Sequence, residues 1–529
     1  MKALLKIAAF GAGAAAAIAA GAVKCKKELK TDSGKRKAYD LGNKAIYNLC
    51  RGIACVLPEG YRPYAYEFDN KGFMPGMTEY QAQGAEQKKW SLGFAKVSLL
   101  PDSLEAASYY VGGYLHYPPN RATAVLDDQM FRCICIDDAS SNGKIVLGVI
   151  DCVGISNKDI RDIRLLTEDF AKQHNIVSIH ISATHSHSEI DTQGLWGDLV
   201  GALKSNPLKV LQGENDYLSG RNEDHMAMLR QRCSEAIKEA CLNMKEGSLS
   251  YSVMDGSKFV RDKRPPEVIF SDIVNLYFEP DDKSKPTRAV FMAAHPTQFG
   301  DDNTVISADY PYYVCSKLEE NNENALFFQG AELAIATQRD GNIPEGLDRT
   351  NQIIEYGKAV GEFCIKSFDE NKRSLTPSIN SKSKEIYLNA SNYLFLTIGK
   401  LRLVNNNLVK VGSKRTDMKF VTELGIVKLG EELTLALIPG ELSPEIVLGG
   451  CLDKNNSYNS TSWDFPALKD LFSGYLCCVG LCNDAIGYII PDNDFGSVFA
   501  PLHYEEAVST GINAASSIVK EFIDLASEF

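Results

Sequence analysis

Ile181-Ser182-Ala183-Thr184-His185-Ser186-His187-Ser188 closes a short apolar run, Ile176-Val177-Ser178-Ile179, that reads as a buried strand. In an extended chain, residues i and i+2 point to the same face. His185 and His187 are therefore expected to look into one pocket at the strand's end. One imidazole could hold a metal while the other handles a proton beside it. On spacing alone, a His-x-His pair in a soluble protein is more often an exposed or hydrogen-bonded pair than a metal site. Both readings stand at this point.

Upstream of the pair, Asn157 to His174 carries Ile160, Ile163, Leu166, Phe170 and Ala171 at helical spacing, with charges between them. Before it, Gly93 to Leu100, Met130 to Asp137 and Lys144 to Ile150 read as strands, the last two joined by a polar turn. Strand, helix, strand implies a βαβ unit with the histidine pair at the carboxyl end of its second strand, where α/β sheets usually place ligands.

Downstream, residues 221 to 244 read as a helix. Leu249 to Phe278 looks strand-rich, and Ala289 to Ala294 is an apolar run ending in His295-Pro296-Thr297. Asn303 to Tyr313 reads as a polar loop and Pro311 to Glu319 as the start of a helix. Ala325 to Phe328 is a strand ending at Gln329-Gly330-Ala331, and Thr350 to Phe368 is a helix. Residues 383 to 430 read as β-rich. Leu433 to Ile438 closes on Pro439-Gly440-Glu441, and Tyr475 to Leu481 leads to Asn483. Four apolar runs thus end in residues suited to a site: the histidine pair, His295, Glu441 and the segment Asn483 to Tyr488. Two histidines, a carboxylate and an oxygen donor suit zinc, which lowers the pKa of a coordinated water. Taken singly, each has a plain alternative. Glu441 could follow a Pro-Gly turn at a helix start, His295 could bond to backbone, and Tyr488 could be a packing side chain.

The 529 residues are 44% hydrophobic and 23% charged, a globular composition, and the net charge of -12 leaves no basic excess to neutralise a nucleic acid's phosphates. Residues 1–30 differ from the rest. Ile7 to Val23 is uncharged, with Lys2 and Lys6 before it and Lys24, Lys26, Lys27 and Lys30 after it. The run suits an uncleaved membrane anchor, a single N-terminal span; secretion after signal cleavage is the alternative. The excess of lysines after the run would keep the main domain cytoplasmic. Residues 31–90 read as a polar, irregular extension, with one helix within Arg36 to Arg51, and residues 91–529 as the main domain. Fourteen cysteines, none in CxxC pairs and many in apolar context, read as small buried hydrophobes rather than a disulfide scaffold.

The order of the pieces resembles the neutral, non-lysosomal ceramidase family in its N-terminal catalytic domain. The matching segments are Arg132-Cys133-Ile134-Cys135-Ile136-Asp137-Asp138, Asp151-Cys152-Val153-Gly154-Ile155 and the histidine stretch itself. They continue with Ala294-His295-Pro296-Thr297, Ile306-Ser307-Ala308-Asp309-Tyr310, Gln329-Gly330-Ala331, Ile438-Pro439-Gly440-Glu441, Gly487-Tyr488-Ile489 and Tyr504-Glu505. The resemblance implies a zinc-dependent amidohydrolase acting on N-acyl sphingoid bases. It implies His185, His295, Glu441 and Tyr488 as zinc ligands, and His187 as a base that later protonates the leaving amine. Tyr504 and an arginine, Arg261 or else Arg264, would stabilise the oxyanion.

Three departures separate the chain from that pattern. Glu189-Ile190-Asp191 follows the histidine pair where the family has proline and glycines. Glu332-Leu333-Ala334 replaces a Gly-Asp segment. The chain stops soon after Tyr504-Glu505, without room for the family's C-terminal β-sandwich. The fold expected is α/β, mixed sheets with flanking helices and the zinc site at strand ends. The substrate expected is a lipid-like amide, with a lipid ester or a non-cleaving binding or sensor role as alternatives. A metal-free fold with structural histidines is the further alternative.

Overall fold

A computed structural model describes residues 31–57, 68–80, 89–198, 204–205, 209 and 220–529. The anchor or signal segment expected over residues 1–30 lies outside the described residues. Among those residues, no helix is long and apolar enough to cross a membrane.

Two β-sheets lie face to face between helices. The larger contains β1 (Trp90–Ser98), β2 (Met130–Asp137), β3 (Lys144–Ile150), β4 (Ile176–Ala183), β5 (Lys245–Asp255), β6 (Asp272–Pro280), β7 (Thr287–Met292) and β8 (Asn324–Gln329). Its order is β8-β7-β6-β5-β1-β2-β3-β4, with the short Arg373–Ser374 strand on β5. Pairing is antiparallel through the middle and parallel at both ends, β3 with β4 and β7 with β8. Each parallel pair is joined by a crossover helix, α2 (Asn157–His174) or α4 (Tyr310–Glu320), as parallel strands require. The smaller sheet contains β9 (Ile379–Asn389), β10 (Asn407–Lys410), β11 (Met418–Leu429), β12 (Leu433–Leu437) and β13 (Tyr475–Val479). Its order is β9-β11-β12-β13, with β10 on β11.

Side-chain alternation sorts the strands into layers. Ile145, Leu147 and Val149 of β3, Leu326 and Phe328 of β8, Leu435 and Leu437 of β12 and Cys477 of β13 all enter one core between the sheets. Their neighbours point the other way. Val146 and Cys133 pack under α2 and α3 (Glu223–Leu242). Val290 and Phe327 pack under α4 and α5 (Arg349–Lys366). Ala436 and Cys478 pack under α6 (Tyr393–Lys400) and α7 (Ala514–Ala526). Because both faces of each sheet are covered, the central strands read in sequence as continuous apolar runs. Eleven of the thirteen cysteines among the described residues are buried, and none of the thirteen is in a disulfide.

Three sequence expectations need correction. Residues 32 to 56 form one 25-residue helix, α1 (Asp32–Val56), longer than the stretch expected within a mostly irregular extension. It docks on α6, where Lys400 Nζ donates to Ala54 O and Thr397 Oγ1 to Cys50 O. Within the region read as β-rich, α6 is helical. Asn392 caps it by accepting from Leu394 N and Phe395 N, and burial of Phe395 and Leu396 overrides a composition that favours strand. On α2, Leu166 is exposed. The buried stripe runs through Ile160, Ile163 and Thr167 and includes Arg161 and Arg164. Those arginines bind Glu423 on β11 at 2.9 and 2.8 Å, tying α2 to the smaller sheet.

Candidate metal centre

The polar residues expected at strand ends do gather, though not by strand alternation. β4 stops at Ala183, and His185 has φ +63°, a left-handed conformation uncommon outside glycine. That turn, rather than an extended chain, brings the two imidazoles together. Their rings stand nearly perpendicular, with centroids 4.7 Å apart. Gln329 at the end of β8 holds the loops in place. Its side-chain amide donates to Thr184 O and Ala294 O, both at 2.9 Å. Ser186 Oγ donates to Ser307 O, and Tyr310 OH to Ala294 O. The segments after β4, β7 and β8 are thereby braced against one another.

His185 Nδ1 donates to Val153 O at 2.6 Å, and His295 Nδ1 donates to Ile335 O at 3.0 Å. These bonds orient both rings and turn both Nε2 atoms away from the backbone, as metal-binding histidines require. Both Nε2 atoms face one carboxylate oxygen, Glu441 Oε2, at 3.4 and 3.0 Å. The donor atoms of His185, His295 and Glu441 lie within 4.8 Å of one another, and all three residues are buried. Glu441 opens a short strand, Glu441–Leu442, that runs parallel to Tyr488–Ile489 with Glu441 opposite Tyr488. The Tyr488 ring lies nearly parallel to that of His295, centroids 6.3 Å apart, and meets Tyr504 edge-on at 6.0 Å. A converging His, His and Glu with oriented nitrogens is a donor set that fits a divalent transition metal.

The electrostatics follow from burial and mutual charge. Burial opposes an imidazolium at His185, but the charges of Glu441 and Glu332 outweigh it and raise its pKa to about 9. Burial likewise opposes charge on Glu441, yet His185 and His295 hold its carboxyl far below the usual range. His187 goes the other way. Burial, then the charges of His185 and His295, push it well below the ordinary histidine value, so it is neutral. Its Nε2 lies 3.2 Å from His185 Nε2, and its Nδ1 is buried without a partner. Gly113, at φ +114°, lies against this ring. A Cβ there would come within 2.5 Å of His187 Cβ, so only glycine fits.

Of the arginines expected to complete the site, Arg261 is exposed on the short Val260–Asp262 strand. Arg264 is buried but committed elsewhere, to Asp494, Glu505 and Glu506 at 2.9 to 3.3 Å. The cation whose charge reaches His187, His295 and Glu441 is Lys263, between them in sequence. Sequence reasoning passed over it because an arginine was sought. It also passed over Val153, whose carbonyl orients His185, although Asp151-Cys152-Val153 had been singled out as a motif. The same motif's Asp151 pairs with Arg132 at 2.8 Å, tying it to the Arg132 to Asp138 segment.

No protein family's profile matches the chain, and no curated protein sequence matches it. Solved structures do. The neutral ceramidase from Pseudomonas aeruginosa superposes with a TM-score of 0.61 at 12% identity, over 83% of this chain and 74% of that one. A ceramidase complexed with C2 superposes with a TM-score of 0.61 at 14% identity, over 83% and 75%. The fold is ceramidase-like. At such identity the likeness concerns the fold alone, over most of the chain.

Proposed function

We propose that the chain is a metal-dependent hydrolase that cleaves the amide of an N-acyl, lipid-like substrate. The observation that carries this reading is the convergence of His185 Nε2, His295 Nε2 and Glu441 Oε2, each histidine locked by a backbone carbonyl. In this reading zinc is held by His185, His295, Glu441 and Tyr488. When bound, zinc supplies Lewis acidity, activating water and polarising a carbonyl.

The other roles belong to the chain's own side chains. His187 is neutral and stands beside the ligand cluster, so its Nε2 can accept a proton and return it to a leaving amine. Tyr504, against Tyr488, offers a hydroxyl donor for a developing oxyanion. The half-buried Lys263 joins Arg261 and Arg264 as a candidate cation for that charge. The ceramidase-like fold supports a hydrolase and a substrate with a lipid part. A lipid ester would use the same groups. The uncharged run Ile7 to Val23 would hold the site near a membrane if it serves as an anchor.

A second reading, a protein that binds rather than cleaves, is favoured by one observation: Glu332 is buried beside the ligands. Metal content and turnover separate the readings. The full chain should carry about one zinc, His185→Ala and Glu441→Ala should each lose it, and His187→Ala should keep it while turnover of an N-acyl sphingoid amide falls about 10²–10⁴-fold. Zinc without turnover on any N-acyl amide or lipid ester would favour binding. No zinc uptake at all would sink the metal assignment.

A further inference from the structure

Glu332 is fully buried, and neither of its carboxylate oxygens has a hydrogen-bond partner. Its own turn is well bonded. Ile335 N donates to Glu332 O, and Leu333 N donates to Leu442 O, next to Glu441. Ile335 O in turn receives both the backbone N–H and the Nδ1–H of His295. The turn thus fixes two of the proposed ligands by its backbone while turning one acidic side chain inward. Burial, helped by Glu441 and opposed by His185, raises its pKa to about 8, so with no cation beside it the carboxyl keeps its proton. A buried carboxylate with no donor is costly, and a pairing cation is the usual compensation. Among the described residues, no lysine or arginine meets it.

A charge count points the same way. A dication held by two neutral imidazoles, a neutral phenol and one carboxylate keeps one positive charge that its ligands do not compensate. Glu332 supplies the missing negative charge. We propose that Glu332 is the counter-ion of the metal centre, a residue that touches no ligand atom yet sets how tightly the site holds a divalent cation. The inference rests on the metal-binding reading given above. It also assigns a purpose to the acidic residue that follows Gln329-Gly330-Ala331.

The test is zinc affinity of the full-length protein, by competition with a chromophoric chelator, for wild type, Glu332→Gln and Glu332→Asp. Glutamine keeps the size and removes the charge; aspartate keeps the charge. Wild type should bind zinc, Glu332→Gln should bind about 10–100-fold more weakly, the range typical of groups just outside a ligand shell, and Glu332→Asp should lie within a few-fold of wild type. Melting temperatures without metal give a second readout. A merely structural glutamate would leave Glu332→Gln less stable, whereas a counter-ion without its cation is a burden, so the metal-free variant should melt no lower than wild type. Equal zinc affinity of wild type and Glu332→Gln would overturn the proposal and leave the metal reading intact. Equal loss in both variants would overturn the role of charge. Absence of zinc binding by wild type would overturn the metal reading and this proposal with it.

Discussion

At the scale of single residues, the groups proposed to carry chemistry stand out in the sequence because they close apolar runs. His185, His295, Glu441 and Tyr488 are brought together as their order along the chain suggested. Their geometry was not readable. The pairing of His185 with His187 depends on a left-handed backbone at His185, which strand periodicity cannot anticipate. Lys263 was hidden for another reason: three cationic side chains within four positions look alike until burial separates them. The placement of His187 gives a prediction at this scale. Gly113→Ala would drive a methyl into the imidazole. A shift of about 1 Å in a catalytic group can cost about 100-fold in rate. Turnover should therefore drop by that order while zinc content, set by other residues, stays at the wild-type level. Rate and metal content of the same preparation check it. Loss of both together would show that Gly113 supports the ligands instead.

At the scale of elements, most strands and helices match their expected bounds to within a few residues. β2, β3 and α2 do so because length, turn residues and caps agree. The failures have physical causes. α6 is short and rich in aromatic and β-branched residues, so only its packing on α1 and β11 makes it a helix. On α2 the rule that charges face water misplaced Arg161 and Arg164, because their partner Glu423 lies far off in sequence on β11. That cluster is a prediction too. Arg164→Leu would leave Glu423 buried with less compensation, and breaking such a pair costs about 3–5 kcal/mol. Urea unfolding should show a loss of that order, partly recovered in Arg164→Leu with Glu423→Leu. A double variant no better than the single one would assign the loss to packing instead of charge.

At the scale of the whole molecule, the layering was out of reach of local patterns. β1 pairs with β5 across some 150 residues, Trp90 opposite Gly247, and nothing near either strand announces the other. The core between the two sheets is largely apolar, with polar ties at Tyr475, whose OH donates to Asp272, and near His180. There Asn483 Nδ2 donates to His180 Nδ1 at 3.0 Å, and His180 Nε2 lies 3.4 Å from Ser381 Oγ. Burial, and then the charge of Arg164, lower the His180 pKa to about 3. Between that value and about 6.5, where a free histidine titrates, the unfolded chain binds a proton that the folded chain refuses. The stability contributed by keeping His180 neutral is therefore complete above about pH 6.5 and shrinks as pH falls toward 3. Comparing wild type with His180→Gln isolates this group from other buried acids. The stability difference should shift against wild type by about 1.4 kcal/mol per pH unit across that window. A difference that does not vary with pH would mean that His180 titrates normally.

The centre's donors come from both sheets: His185 and His295 follow strands of the larger one, Glu441 follows β12 of the smaller. An ion seated among them would act as a rivet through two plates. Prising the sheets apart would then release the ion, and filling the site would resist the prising. At a free zinc concentration 100 times the dissociation constant, that linkage is worth about 2.7 kcal/mol, enough to slow proteolysis of the loaded chain markedly against the empty one. If digestion proceeds at one rate with and without zinc, the plates are held by their apolar faces alone. If zinc protects, metal supply governs the protein's lifetime as well as its chemistry, and a cell short of zinc would clear the idle copies first.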